Sequence, residues 1–199
     1  CSAFPTDLDV LRYSLSNPPE IPAGTLSAEE IKFSGGKKYS VFSGPGEHYL
    51  RGGNGKAAVS TNDWIQVFGK ENGWIMIQYD ITSDHMRIGW INESALPKNA
   101  NVKNADFSKT IMHTAIQCNM TDDPLFSMNT ILVVPADSET IWLATMGDWA
   151  FVEWNGSSQP VRGFLKANCL RRMSSNQAKA AAMDILLATN PTVEQQPVT

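Results

Sequence analysis

Few residues of this chain have the types and the spacing that nucleophilic catalysis requires. A thiol or hydroxyl nucleophile needs a base within hydrogen-bond reach. His113 and Cys118 are five positions apart, so in one regular strand their side chains would point to opposite faces. Ser83-Asp84-His85 contains the three residue types of a serine-hydrolase triad, but residues adjacent in sequence do not form a triad without unusual folding. We therefore predict no catalytic residues and a chain that is not an enzyme.

A phosphate-binding loop and a metal site are also poorly supported. Gly53-Asn54-Gly55-Lys56 matches part of the Gly-x-x-x-x-Gly-Lys-(Ser/Thr) loop, but Leu50 stands where the first glycine is required and Ala57 where the hydroxyl is required. We interpret the segment as a turn. The 3 histidines are scattered and none belongs to a His-Glu-x-x-His motif, so the sequence predicts no metal and no cofactor.

The composition excludes several classes of protein. Among the 199 residues, 42% are hydrophobic and only 18% are charged, which argues against a disordered chain. The formal net charge is -4, so no basic surface is available for a phosphate backbone, and we predict no nucleic-acid partner. No apolar run approaches the length of about 18 residues that a membrane-spanning helix needs, so no transmembrane segment is predicted.

Aromatic side chains in two strand-like segments are stronger candidates for binding. Period-two alternation places Trp74 with Gln78 on one face of the first segment, and Trp149 with Glu153 on one face of the second. The polar residue on each of these faces predicts that the face is the wetter one. Two interpretations stay open, because the tryptophans could form the floor of a ligand groove or could pack one unit of the chain against another.

Three further side chains complete the predicted ligand-binding set. Tyr49, Trp64 and His85 lie in or beside long loops of the same region as Trp74. Together with Trp74 and Trp149 they could line a groove for sugars or short peptides, since rings supply rigid contact area at low entropic cost. The alternative is that these three residues only anchor their loops.

The elements that would position these residues are short strands. Runs rich in β-branched and aromatic residues, such as 65–68, 74–79 and 88–91, alternate with turn sequences such as Ser43-Gly44-Pro45-Gly46 and Asn72-Gly73. Short strands with frequent turns are typical of an all-β sandwich or a small barrel.

An internal repeat divides the chain into two units. Three apolar landmarks in the first copy are separated by 16 and then 6 residues, and three in the second copy by 15 and then 6. The landmarks are Trp74, Trp90 and Leu96, matched by Trp149, Phe164 and Leu170. Ordered matches of this kind indicate two copies of one small unit, and we predict domains at 26–98 and 104–172.

Two segments lie outside the repeat. Residues 1–25 are predicted to be an N-terminal extension that is partly helical, with a short helix over Asp7–Ser14 that three prolines end. Residues 174–189 are predicted to form a C-terminal α-helix, which begins at a capping serine and ends before Pro191.

The cysteines do not indicate a disulfide framework. Cys1, Cys118 and Cys169 are an odd set without a Cys-x-x-Cys motif, which also argues against a zinc site. We expect Cys118 and Cys169 to be small buried apolar residues. Two interpretations of Cys1 stay open: it could be the lipid-bearing first residue of a processed bacterial lipoprotein, or an ordinary residue at which this chain begins.

The repeated motifs resemble the bacterial SH3 (src-homology 3) domain. That family usually has a strand entering a Ser-Gly-Pro-Gly turn, a Gly-Trp strand and a closing Gly-aromatic-aliphatic strand, which the first copy matches at 43–46, 73–74 and 89–91. The second copy is more divergent, with Asp122-Asp123-Pro124 at the turn and Phe164 in the closing strand. The resemblance covers the two units and implies an all-β protein of two tandem SH3-like half-open barrels.

The resemblance also implies a class of function. Bacterial SH3 domains are commonly non-catalytic parts of secreted or surface proteins, so we expect an extracellular or envelope-associated module with cell-wall peptide or glycan as ligand. Two alternatives stay open. The chain could be a protein–protein interaction or spacer scaffold, or the accessory domains of a cell-wall hydrolase whose catalytic domain lies outside it.

Overall fold

The computed structural model describes residues 26–125, 129–172 and 175–189. The prediction of an all-β protein is confirmed, because the described residues form many short antiparallel strands. The predicted N-terminal extension and Cys1 lie outside the described residues.

The described strands, helices and 3-10 turns have the following bounds in chain order. They are β1 (Glu29–Glu30), β2 (Lys38–Ser40), α1 (Gly52–Gly55), β3 (Ala58–Ser60), β4 (Ile65–Glu71), β5 (Trp74–Thr82), β6 (His85–Asn92), η1 (Glu93–Ala95), β7 (Thr110–Thr114), β8 (Cys118–Thr121), β9 (Thr130–Val134), β10 (Glu139–Met146), β11 (Trp149–Trp154), β12 (Val161–Lys166), η2 (Ala167–Cys169), β13 (Leu170–Arg171) and α2 (Ser175–Thr189). The helix α2 thus begins one residue after the predicted start of the C-terminal helix and ends at the predicted residue.

The strands are arranged as two copies of one unit, which we call the first repeat (β1–β6 and η1) and the second repeat (β7–β12 and η2). The first repeat has a sheet of order β1-β4-β5-β6 with β2 and β3 paired separately. The second repeat contains the same order, β7-β10-β11-β12, and continues through β8 and β9. No closed barrel forms among these described strands. The predicted domain limits stay a prediction, although each repeat falls within one of them.

Irregularities of the sheets are repeated as well. The pairing of β4 with β5 shifts register between Val67 and Gly69, and that of β10 with β11 shifts between Trp142 and Ala144. In both cases the extra residue lies six positions before the tryptophan that begins the next strand. A bulge bends a strand and increases its twist, so its recurrence at one position gives both sheets the same curvature.

Close packing against the last strand of each repeat requires glycine. A Cβ atom on Gly89 would lie 2.4 Å from Cγ1 of Val41, and one on Gly163 would lie 2.5 Å from Cγ of Met120. Both would also lie 3.1 Å from a backbone carbonyl oxygen. The glycines of the closing motifs therefore allow the segment that directly follows β2, or β8 itself, to cross over the sheet.

Each repeat has its own hydrophobic core. The core of the first repeat is built from β3, β4, β5 and β6 around Ile75, Ile77 and Tyr79. The core of the second is built around Trp142, whose indole nitrogen donates to the carbonyl oxygen of Ala144 at 2.8 Å. A third apolar cluster contains residues of both repeats, and it forms the contact between them.

Candidate functional site

The cluster between the repeats is formed by equivalent positions of the two copies. Met76 and Trp90 of the first repeat meet Phe151 and Phe164 of the second, and all four are at most 2% exposed. The rings of Phe151 and Phe164 lie with centroids 4.9 Å apart at an interplanar angle of 37°. Each repeat thus covers the other with the same face of its sheet.

Trp74 and Trp149 lie at the margins of this cluster, and both are half-buried. Trp74 packs edge-on against Phe42, with ring centroids 5.6 Å apart and an interplanar angle of 87°. The face that Trp74 shares with Gln78 is the more exposed of the two only at Trp74 itself and by a small margin, because Met76 and Gln78 on it are 0% and 5% exposed. The second repeat covers that face, as the packing interpretation of the tryptophans requires.

A buried arginine connects the repeats at one end of the cluster. Arg162 in β12 is 7% exposed and donates to a carboxylate oxygen of Glu71 at 2.6 Å and to one of Glu153 at 3.0 Å. Glu71 belongs to the first repeat and Glu153 to the second, so the guanidinium links the two. Tyr49, from the long loop of the first repeat, donates its hydroxyl to the same oxygen of Glu153.

Aromatic rings surround the guanidinium of Arg162. Its central carbon lies 5.4 Å from the ring centroids of Tyr49 and Trp90 and 5.6 Å from that of Phe107. A cation over ring faces is stabilised by their quadrupoles, most strongly where water is excluded. The charge is thus compensated by two carboxylates and three rings, which makes its burial tolerable.

This environment shifts the pKa values of two neighbouring groups. Burial and the hydrogen bond to Glu153 raise the pKa of Tyr49 to about 12. Although burial alone would raise the pKa of Glu153, the hydrogen bonds from Tyr49 and Arg162 lower it below its ordinary value. Glu153 is therefore held as a carboxylate and Tyr49 as a neutral phenol, and neither is poised to exchange protons near neutral pH.

A second polar bridge joins the repeats at the position of the Asp122-Asp123-Pro124 turn. Asp122 accepts from Arg87 at 3.0 Å, and Asp123 accepts from the side-chain amide of Gln78 at 2.8 Å. Arg87 also donates to the hydroxyl of Tyr79 at 2.9 Å. Burial raises the pKa of Asp122 above its ordinary value even though Arg87 opposes the shift. The residues that replace Ser-Gly-Pro in the second copy thus serve the contact between repeats.

One open groove of the second repeat contains a predicted site residue, and we call it the Trp149 groove. Its volume is 580 Å³. Its lining combines one indole ring, one ammonium group, two thiols and several uncharged polar side chains, namely Gln117, Cys118, Asn119, Thr121, Thr130, Trp149, Lys166 and Cys169. The ammonium nitrogen of Lys166 lies 4.9 Å from the centroid of the Trp149 ring. The groove can therefore offer a ring face, a positive charge and hydrogen-bonding amides to one ligand.

Two thiols are among the side chains that line the Trp149 groove. Cys118 is 4% exposed, whereas Cys169 is half-buried, so only Cys118 fits the expectation of a buried apolar residue. The Cys118 thiol donates to the carbonyl oxygen of Ile116 at 3.1 Å, and the Cys169 thiol lies 3.6 Å from Oδ1 of Asn168. The neighbouring Cys118 side chain and, more weakly, the charge of Lys166 lower the pKa of Cys169 despite its burial. The neighbouring Cys169 side chain and burial raise the pKa of Cys118.

The five predicted ligand-binding residues are not gathered around one groove within the described ranges. Tyr49 is buried in the Arg162 network, and Trp74 lies at the margin of the contact between repeats. Trp64 lines a separate groove of 610 Å³ beside β1, and His85 is exposed at the turn between β5 and β6. Only Trp149 lies in the Trp149 groove. The binding role of all five stays a prediction.

Several residues of these sites are not predicted by the sequence. Lys166 and Cys169 join Trp149 because β12 pairs with β11, which places Lys166 opposite Trp149. One signal was available for Arg162, since its charge interrupts the apolar run 161–165 at the position that Ile88 fills in the first repeat. The partners of Arg162 come from distant segments and carry no such signal.

Metal binding has no support in this part of the molecule. Among residues 26–125, 129–172 and 175–189, no three side chains of His, Cys, Asp or Glu converge as metal ligands.

No helix in the described part of the chain is long and apolar enough to cross a membrane.

Comparison with known proteins gives little further information. No protein-family model matches the chain, and no curated protein matches it. Two solved structures of Trichomonas vaginalis proteins, NlpC2 and NlpC1, are similar at 13% and 12% identity, each with a TM-score of 0.30. The matches cover 75% and 78% of this chain and 49% of each of those chains, so this chain spans about half of their length. At this level of similarity the chain is not assigned to their family.

Proposed function

We propose that this chain is a non-catalytic binding module of the bacterial envelope or its exterior, and that the Trp149 groove receives a cell-wall peptide or glycan. The observation that carries the proposal is the combination of an aromatic ring, an ammonium group and amide side chains in one open groove. Sugars and short peptides are bound in this way, by a ring that gives contact area and a few polar groups that fix orientation.

The chemistry of the lining matches the ligand class. Lys166 is exposed at the edge of the groove and can pair with a carboxylate, such as those of a cell-wall peptide. Asn119 and Gln117 are exposed amides that both donate and accept hydrogen bonds, as hydroxyls and peptide groups require. The ring of Trp149 is half-buried, so part of its face stays open to a ligand.

The arrangement of candidate nucleophiles supports a non-catalytic role. His113 is in β7 and Cys118 is in β8, and these strands are separated in the sheet by β10, β11 and β12. The two side chains are thus not brought together by the strand order. Ser83 and Asp84 form the turn before His85, where Thr82 accepts from the backbone of Asp84 at 3.4 Å in an ordinary turn contact.

A spacer or interaction scaffold is the second candidate. The observation in its favour is the contact between repeats, which uses the faces of both Trp74 and Trp149 and adds two polar bridges. A rigid pair of domains holds whatever is joined to its ends at a fixed separation. Such a scaffold needs no ligand in the Trp149 groove.

The two candidates are separated by co-sedimentation with purified peptidoglycan. We expect the chain to pellet with the wall and Lys166→Gln to bind about tenfold more weakly, because one charge-assisted hydrogen bond is worth about 1.4 kcal/mol or more. Lys98→Gln is the matched control, since Lys98 is exposed outside the groove. Absence of pelleting, or an equal loss in Lys98→Gln, would favour the scaffold.

A further inference from the structure

Backbone pairing holds the two segments that carry the thiols of the second repeat side by side. The amide of Ala115 donates to the carbonyl oxygen of Cys169 at 2.7 Å, and Leu170 pairs with Thr114 in the sheet. The segment that leads into Cys118 and the 3-10 turn that ends at Cys169 are therefore fixed side by side. Both side chains line the Trp149 groove and belong to, or pack on, the core of the second repeat.

The surroundings distinguish the two thiols. Cys169 is half-buried, faces the groove and lies near Lys166, so a reagent can reach its sulfur and the thiolate is favoured there. Cys118 is almost fully buried, and its thiol donates to the carbonyl oxygen of Ile116 at 3.1 Å. An accessible thiolate next to a buried partner thiol is the arrangement of an attacking and a resolving cysteine.

We propose that Cys118 and Cys169 form a disulfide by exchange with a small-molecule disulfide that enters the Trp149 groove. This inference does not depend on the binding of a cell-wall ligand. It does imply that oxidation links β8 to η2 and thereby fixes two of the segments that line the groove.

The reaction balances as two exchanges. The Cys169 thiolate attacks one sulfur of the small disulfide, which forms a mixed disulfide and releases one small thiolate. The Cys118 sulfur, having lost its proton to solvent or to that thiolate, attacks Cys169 and releases the second small thiol. The protein thiols lose two electrons and two protons overall, and the small disulfide is reduced to two thiols.

Intact-mass spectrometry with oxidised glutathione tests the proposal. The chain with Cys1→Ser retains only the two thiols in question. We expect its mass to fall by two hydrogens and trypsin to release the peptide 167–171 joined to the peptide 110–162, with reversal by dithiothreitol. An unchanged mass, or a stable glutathione adduct on Cys169, would overturn the proposal.

Two controls distinguish a disulfide that the fold promotes from incidental oxidation of the thiols. The further variant Cys118→Ala should stop at one glutathione on Cys169, because no resolving thiol remains. The same Cys1→Ser chain unfolded in urea should form the linked peptides at least tenfold more slowly, since the fold holds the thiols together. Equal rates in folded and unfolded chains would show that the fold contributes nothing and would contradict the proposal.

Discussion

Arg162 occupies a position that the first repeat fills with the apolar residue Ile88. The second repeat can accept a charge there because Glu71 and Glu153 approach it from opposite sides of the contact and Tyr49 completes the network. A buried charge with these partners adds little net stability, and its loss is costly because it leaves the carboxylates without their cation.

Replacing Arg162 by methionine should therefore be costly. The change leaves the carboxylates of Glu71 and Glu153 partly buried without their cation, and breaking a buried pair in this way costs about 3–5 kcal/mol. Urea unfolding followed by tryptophan fluorescence measures the loss. The double variant Arg162→Met, Glu153→Gln should lose less than the sum of the two single variants, and simple additivity would contradict the coupling.

The lowered pKa of Glu153 makes its contribution to the stability of the fold depend on pH. Because its folded pKa lies below its unfolded value of about 4.3, it contributes stability above that pH, and the contribution disappears as the pH falls through the folded pKa. Asp122 has the opposite sign, since its raised pKa makes its ionisation unfavourable to the fold.

The comparison with Glu153→Gln isolates the effect. We expect the difference in unfolding free energy between the unsubstituted chain and this variant to be largest near neutral pH and to shrink as the pH is lowered through the carboxyl range. A difference that is constant from neutral to acidic pH would show that the charge of Glu153 does not stabilise the fold.

At the scale of elements, the closing strands β6 and β12 each depend on one glycine, but with different neighbours. An alanine at Gly89 would press against the branched side chain of Val41, whereas one at Gly163 would press against the flexible side chain of Met120. A β-branched residue has few rotamers with which to move away, and methionine has several.

The two matched substitutions should therefore differ in cost. We expect Gly89→Ala to lower stability by about 2–3 kcal/mol and Gly163→Ala by about 1 kcal/mol, within the usual range for overpacking. Urea unfolding of the two variants gives the comparison. Equal losses would mean that the carbonyl oxygen at 3.1 Å, common to both sites, decides the cost rather than the side chain.

The types of the elements were predictable because each depends on residues that are close together in the sequence. The Gly-Trp strands, the Asn72-Gly73 turn and the C-terminal helix follow from alternation, turn chemistry and capping within a few residues. What covers each face was not predictable, since alternation separates two faces without identifying the partner of either. For the same reason the meeting of Cys118 with Cys169, which are far apart in the sequence, required the fold.

For the whole molecule, we expect the contact between the repeats to make them one folding unit. The cluster around Met76, Trp90, Phe151 and Phe164 is almost fully buried, so either repeat alone would expose a large apolar face. Small domains bury a smaller fraction of their surface on folding, so the apolar surface that the two repeats bury together is important for their stability.

We expect one cooperative transition for the whole chain. Unfolding by urea should give coincident curves for tryptophan fluorescence and far-ultraviolet circular dichroism, and Phe151→Ala should lower the stability by about 3–5 kcal/mol while the curves stay coincident. Two separate transitions, with only the second repeat affected by the substitution, would show that the repeats fold independently.

The duplication of the fold does not extend to the lining of the Trp149 groove. At the equivalent positions of the first repeat, Lys166 is replaced by Asn92, Cys169 by Ala95 and Cys118 by Tyr39. Under the proposed function, the two repeats together therefore bind one ligand, and a chain bound through that groove would be a single tether. Any gain in avidity would have to come from several chains held close together on one surface.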